Sequence, residues 1–202
     1  MKTHALSLAI LLACAAAVRA GAQSASHDPA KVEAGTYSVE PNHTQVMFTV
    51  SHMGFSNYTG SFTGASGDLT LDPKTASASA LKVSVPVASV MTPSAKLVDE
   101  LKSADWLDAG KYPTMTFVST KVTPLGKGRA KVTGDLTIHG TTKPATLDVT
   151  FVGAGTNPLD KKYTVGFEAK GDIKRSEFGV SKYVPLIGDT LHLTIAGAFE
   201  RQ

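Results

Sequence analysis

Cysteine occurs once in the 202 residues, as Cys14. Internal disulfides, a thiol nucleophile elsewhere in the chain and thiolate metal sites are thereby excluded, so stability has to come from the core. Histidine is also sparse, and no set of histidines has ligand spacing. His4 and His27 lie near the amino terminus, and His43 and His52 are nine residues apart and on opposite faces of one strand by parity. His139 and His192 neighbour inward positions and should point outward. A closed metal site, which gathers three or four ligands in fixed geometry, is not expected. No serine stands in a Gly-x-Ser-x-Gly setting, and Asp105 and Asp108, which straddle Trp106, read as helix caps or surface charges. The expectation is therefore a non-enzyme that needs no cofactor. An excess of one charge is missing too: 20 basic side chains face 17 acidic ones, and without Lys2 and Arg19 the count is 18 against 17. The lysines are scattered among acids rather than gathered into a stripe, which excludes a nucleic-acid partner.

What is present begins with an export signal. Lys2, the apolar run from Ala5 to Val18 and the small residues Ala20-Gly21-Ala22 read as a secretory signal peptide over residues 1–22, and imply a periplasmic protein. Leu11-Leu12-Ala13-Cys14 offers a second reading, a lipoprotein box in which Cys14 becomes an acylated anchor. Cleavage after Ala22 leaves 180 of the 202 residues, enough for one barrel-sized domain. Residues 23–35 are small and polar and are expected to be a flexible lead-in, with the folded domain over 36–202.

From Tyr37 onward β-branched and aromatic residues alternate with polar ones, in runs separated by Gly, Pro, Asp and Asn. That period of two predicts an all-β, antiparallel sheet with one face buried. Strands are expected near 36–53, 58–71, 79–90, 113–122, 129–138, 144–154, 162–175 and 189–201. Eight strands close a barrel wide enough for its own side chains or for one slim ligand. The inward parity carries Val46, Phe48, Val50 and His52 on the first strand, Val83, Val85 and Val87 on the third, and Met115 and Phe117 on the fourth. It continues with Val132, Leu136 and Ile138, then Leu147, Val149 and Phe151, then Val165, Phe167, Ala169 and Ile173, then Leu191, Leu193 and Ile195. The opposite parity holds Thr116, Lys131, Thr133, Asp135, Asp148, Thr150, Glu168, Lys170 and Thr194. A water-facing exterior of that kind is the reverse of a transmembrane barrel. Between Met91 and Pro113 the period changes: Leu97, Val98 and Leu101 follow helical spacing after the capping run Thr92-Pro93-Ser94. A short helical insert between strands 3 and 4 is expected there, with a further turn at 104–107.

Two segments of the chain resemble the signature of a known family. Asp135-Leu136-Thr137-Ile138-His139-Gly140-Thr141-Thr142-Lys143-Pro144 reads as strand, tight turn and strand. It follows Ser103-Ala104-Asp105-Trp106-Leu107-Asp108-Ala109-Gly110-Lys111-Tyr112-Pro113-Thr114-Met115-Thr116-Phe117. With His43 to Gly54, Gly60-Ser61-Phe62, Gly67-Asp68-Leu69 and Ser89 to Thr92 in order, the stretch from about Tyr37 to about Glu200 resembles the YceI-like, polyisoprenoid-binding periplasmic proteins. The resemblance implies a lipocalin-like eight-stranded antiparallel barrel enclosing an isoprenoid quinone or polyprenol. Many members carry Arg-Asp-x-His-Leu where this chain has Leu97-Val98-Asp99-Glu100-Leu101, so those polar roles do not transfer.

The ligand-binding residues expected on this basis are the inward Phe48, Val50, His52, Val83, Val85, Phe117, Leu136, Ile138, Phe151, Phe167 and Ile173. To these are added Phe55 and Tyr58 around the Gly54 loop, Phe62 of the Gly60-Ser61-Phe62 element, Trp106 in the insert, and Phe178. Trp106 is either an anchor of the insert on the barrel rim or a ligand contact. His52 either hydrogen-bonds a quinone or prenol head group, or bonds a backbone carbonyl at its strand end. The expected partner is the long-chain isoprenoid itself, with transient membrane contact and a possible homodimer. A second function, from a different class, is an envelope stress or structural protein whose barrel is filled by Phe48, Phe117, Phe151 and Phe167 and which acts through a protein partner.

Overall fold

The computed structural model describes residues 25–202. The expected signal peptide and Cys14 lie outside the described residues. Strands β1 (Gly35–Val39), β2 (Gln45–His52), β3 (Ser56–Phe62), β4 (Ser66–Leu71) and β5 (Ala80–Pro86) come first. An insert containing helix α1 (Ala95–Lys102) follows, and then β6 (Thr114–Gly126), β7 (Arg129–Ile138), β8 (Thr141–Thr156), β9 (Tyr163–Lys174) and β10 (Thr190–Arg201). All pairings are antiparallel, and the ten segments make eight staves, because β1 and β2 share one edge of β10 while β4 and β3 pair with them in turn. The sheet closes where β1 meets β10, giving the expected antiparallel barrel.

The first stave breaks for a local reason. Pro41 cannot donate to the ladder, and the Glu40 carboxylate gathers the amides of Asn42 and His43, the Asn42 side chain and His43 Nδ1 into a bulge. Thr44 then stands in for the missing backbone bond, since its hydroxyl donates to the Ala198 carbonyl at 3.2 Å and accepts from the Ala198 amide at 3.0 Å. The third strand ends at Pro86, short of the expected boundary, because Val87–Ser89 turns into a short 3-10 helix that puts Ser89 Oγ on the Pro86 carbonyl. Ser94 caps α1 by accepting the Leu97 amide, as its position before the helical run implied.

The two halves of the family-like signature meet in space. His139 and Gly140 both adopt positive φ, 51° and 73°, the two-residue turn that matches the twist of a hairpin. The Tyr112 ring of the insert lies against that turn, its centroid 4.6 Å from the His139 ring. A Cβ on Gly140 would come within 2.4 Å of the Tyr112 ring, so glycine is required by the close approach as well as by the backbone. His139, expected to face outward, is thus half-buried beneath the insert.

Residues 25–34 are not the flexible lead-in expected from their composition. Ser26 and Ala154 exchange backbone hydrogen bonds, His27 Nδ1 lies 2.7 Å from the Val152 carbonyl, and Asp28 caps a 3-10 turn over Pro29–Lys31. Val32 is buried against the barrel. The segment is polar in composition, but its polar groups bond to β8, β9 and β10, far away in sequence. The lead-in therefore covers one end of the barrel, and the insert with the 175–189 connection covers the other. Near the lead-in end Tyr37 and Val165 are fully buried beside Phe199, and the Tyr37 hydroxyl donates to the Glu33 carbonyl; near the insert end Val87 and Phe178 are buried as completely.

Candidate functional site

The barrel encloses a cavity of about 880 Å³ that is lined from Pro29 and Val32 at one end to Trp106 and Ile187 at the other. Its wall is the inward parity of the strands. Phe48, Val50 and His52 of β2, Tyr58 and Phe62 of β3, and Val83 and Val85 of β5 all reach it. So do Phe117, Leu136, Ile138, Phe151, Phe167 and Ile173 from β6 to β9, together with Trp106 and Phe178. Phe55 does not: it sits at the tip of the β2–β3 turn, 86 % exposed, because Gly54 turns the chain away from the mouth. Thr116, expected outside, also reaches the wall, near the insert. Val165 is buried but packs into the core around Tyr37 instead of lining the cavity.

Glycines shape the bore. Phe48 stands opposite Gly60 across the β2–β3 ladder, and a Cβ there would lie 2.4 Å from the ring. At Gly134 a Cβ would meet the Phe117 ring at 2.6 Å. In both places an aromatic ring lies flat over a neighbouring strand, which the missing side chain permits. The phenylalanines therefore coat the wall and leave the middle open.

Among the described residues, charged side chains reach the wall only at its ends: Arg129 at one, Glu100 and Arg175 at the other. Glu100 stands within the segment that departs from the family-like pattern. It accepts the Trp106 indole N–H at 3.2 Å. Trp106 is 7 % exposed and touches both the cavity and the rim, so the anchor and wall roles coexist in one side chain. Its ring packs edge-on against Tyr183 and lies 5.4 Å from the Arg175 guanidinium carbon.

Arg175 is the residue that sequence reading missed. It is 5 % exposed, and its guanidinium donates to the carbonyls of Gly188, Val180, Lys182 and Ile187 at 2.8–2.9 Å. Four of its five N–H donors thus hold one loop closed. Burial pushes its pKa down, and the Asp189 carboxylate opposes that shift. Burial pushes Asp189 up in turn, yet the hydrogen bonds from the Ser176 hydroxyl and amide and the charge of Arg175 outweigh it and hold the carboxyl below its ordinary value. No local signal marks Arg175, since Lys174-Arg175-Ser176-Glu177 reads as a solvated turn. Leu69, Leu71 and Leu81, also in the wall, were not among the expected lining residues, although their alternation with polar neighbours marks them.

His52 stands at the rim, exposed to solvent, and its imidazole has no hydrogen-bond partner among the described residues. Its backbone pairs with Ile187, but the ring is not held by a carbonyl at the strand end. His192 lies outside the barrel, 2.8 Å from an Asp172 carboxylate oxygen. Among the described residues no three His, Cys, Asp or Glu side chains gather as a metal site would need.

The comparisons with known proteins agree with this architecture. A UPF0312 protein of Vibrio parahaemolyticus is 36 % identical over 182 residues, covering 90 % of this chain and 89 % of its own. The crystal structure of Burkholderia cenocepacia BcnA superposes with a TM-score of 0.72 at 28 % identity, over 79 % of this chain and 98 % of that one. A polyisoprenoid binding domain from Saccharophagus degradans shares the fold at a TM-score of 0.61 and 15 % identity, over 84 % of this chain and all of that one. The model of the YceI-like domain matches residues 37–199, the whole barrel from its first stave to its last. With that span, the signature hairpin under Tyr112 and the closed eight-stave barrel, the chain belongs to the YceI-like domain family.

Proposed function

We propose that this protein is a periplasmic binding protein, not an enzyme, that encloses one long-chain isoprenoid lipid, a quinone or a polyprenol, for carriage or storage. The observation that carries this reading is the open apolar bore. Phe48, Phe117, Phe151 and Phe167 leave about 880 Å³ between them, within the usual range of ligand sites, so the barrel is not packed by its own side chains. That favours an enclosed ligand over the self-filled barrel acting through a protein partner. A ten-residue strand such as β7, tilted as barrel strands are, stands roughly 25 Å tall along the axis. A bore of that length and slimness suits a linear chain rather than a compact molecule.

Transfer of apolar carbon from water contributes about 0.8 kcal/mol per buried methylene, and a few isoprene units exceed what real complexes retain. The relevant competitor is the bilayer, which solvates the same tail equally well, so the apolar wall does not discriminate. Discrimination belongs to polar groups at the insert end: the unpartnered imidazole of His52, the Tyr58 side chain and the edge of the Trp106–Arg175 pair. A tail along the bore with its head group near His52 uses each of them.

The test is organic extraction of protein purified from its native envelope, followed by mass spectrometry. A co-purified prenyl lipid at near-stoichiometric yield is the expected result, and repeated empty extracts would remove the proposal. Intact mass of the same material should show a chain beginning near Gln23. A diacylglyceryl adduct on Cys14 would replace free carriage with anchored storage.

A further inference from the structure

We propose that the adjoining loops at residues 53–55 and 183–187 form an uncharged apolar tip that enters the hydrocarbon edge of a lipid bilayer, so that the cavity mouth opens onto the membrane. This rests on the reading of the cavity as an isoprenoid site, and adds where the lipid enters and by which force. Four large side chains stand out on these loops: Met53 is 49 % exposed, Phe55 86 %, Tyr183 53 % and Leu186 62 %. The Met53 amide donates to the Leu186 carbonyl at 2.9 Å and His52 pairs with Ile187, so the two loops make one surface. Met53, Tyr183 and Ile187 also line the cavity, which makes that surface continuous with the inner wall.

The tip is held in place by the fold. Met53, Gly54 and Tyr183 take φ values of 52°, 72° and 61°, and Arg175 grips the base of the second loop through the carbonyls of Lys182, Ile187 and Gly188. Left-handed backbone at Met53 and Tyr183 costs free energy that packing at the base must offset, while the apolar side chains it displays gain nothing from water. A Cβ on Gly54 would meet no atom within 4 Å, so the turn projects into open space. A yielding bilayer accepts a projecting tip, whereas a flat protein face does not. Across residues 51–58 and 179–188 the only Lys, Arg, Asp or Glu is Lys182, and it is paired with Asp105 at 2.7 Å. Insertion therefore draws on apolar transfer, and neutral lipid should serve as well as anionic lipid at any salt concentration.

The test uses the mature protein and sucrose-loaded vesicles of neutral phosphatidylcholine, with cosedimentation as the readout. The parent should sediment with the vesicles equally at low and high salt. A double variant, Phe55→Ser with Leu186→Ser, should lose about tenfold or more in partitioning, the loss set by removing two apolar anchors. Leu159→Ser, which removes a side chain 90 % exposed at the opposite end, should lose none. Polyprenol presented in detergent micelles should load all three proteins alike, while loading from vesicles should slow in the double variant by the same factor as its binding. The tip is wrong if the parent stays in the supernatant, if salt abolishes its binding, or if the double variant binds and loads from vesicles like the parent. It is also wrong if the double variant converts a dimer to a monomer without changing vesicle binding, since a second copy is then what covers the patch. Vesicle binding that depends on Phe55 and Leu186, with no polyprenol uptake from either source, upholds the tip and overturns the isoprenoid reading of the cavity alone.

Discussion

The two ends of the barrel are built from different materials. At the lead-in end the connections between strands are short, and charge is abundant: Arg201 pairs with Glu33 and Lys162 with Glu200 around a bore covered by Pro29 and Val32. At the insert end two connections are long, 87–113 and 175–189, the tips at 53–55 and 183–187 carry no charge and hold apolar side chains in solvent, and the buried Arg175 stands beside the exposed Lys182–Asp105 pair. The wall between them is uniform. An alternating strand pattern makes a tube, and the loops decide that one end is a cap and the other a mouth.

The largest expected effect comes from removing what holds the mouth. Arg175→Met keeps the apolar stem but leaves four carbonyls without their donor, and should cost roughly 3–5 kcal/mol in urea unfolding while exposing residues 179–188 to protease. A loss below about 1 kcal/mol would mean the loop holds itself, and the contrast between the ends would shrink to composition. The cap should be less costly to loosen. Val32→Ala is expected to remove about 2 kcal/mol and to speed release of a bound prenol, whereas unchanged release would show that the lead-in does not close the bore.

Alkali should act on the lead-in end. Burial first, then the neighbouring Tyr163, pushes the Tyr37 phenol from 10.0 up to about 12. A phenol whose folded value is raised favours the folded state fully below its unfolded value and loses that contribution as pH climbs from about 10 to about 12. Tyr37→Phe should therefore be less stable than the parent by about 1 kcal/mol at neutral pH, through the lost bond to Glu33, and overtake it in strong alkali. Parallel pH melts without a crossing would show that Tyr37 does not titrate in this range. The smallest effect belongs to Lys182→Met. Its exposed pair with Asp105 ties the insert to the mouth loop in position only, so the melting temperature should not move measurably. His52→Ala is likewise expected to leave stability unchanged. Its signature is a lost preference for a quinone over a hydrocarbon of equal length in competition binding.

Much of the tube was legible because a period of two is a local property. Phe48, Val83, Leu136 and Phe167 share a cavity since each strand alternates, and closure brings the alternations together. The insert helix was legible from Ser94 and the spacing of Leu97 and Leu101. The mouth was not. Phe55 and Tyr58 are both aromatic and stand at the same turn, yet one faces water and the other the bore, and the backbone at Gly54 decides between them. Arg175 drew no reading because its partners are carbonyls, which every residue has and no sequence pattern marks. The lead-in was read as loose because the hydrogen bonds that hold Ser26 come from Ala154.

By itself, then, the sequence determined the staves, their inward faces, the number that closes a barrel and the poverty of polar chemistry inside it, since all of these follow from residue type and spacing along one strand. Tertiary structure alone decided that the phenylalanines coat the bore instead of filling it, that Tyr112 locks the His139-Gly140 turn, and that a buried guanidinium shapes the mouth. Each of those depends on which strand lies beside which, and on backbone groups brought together from distant parts of the chain.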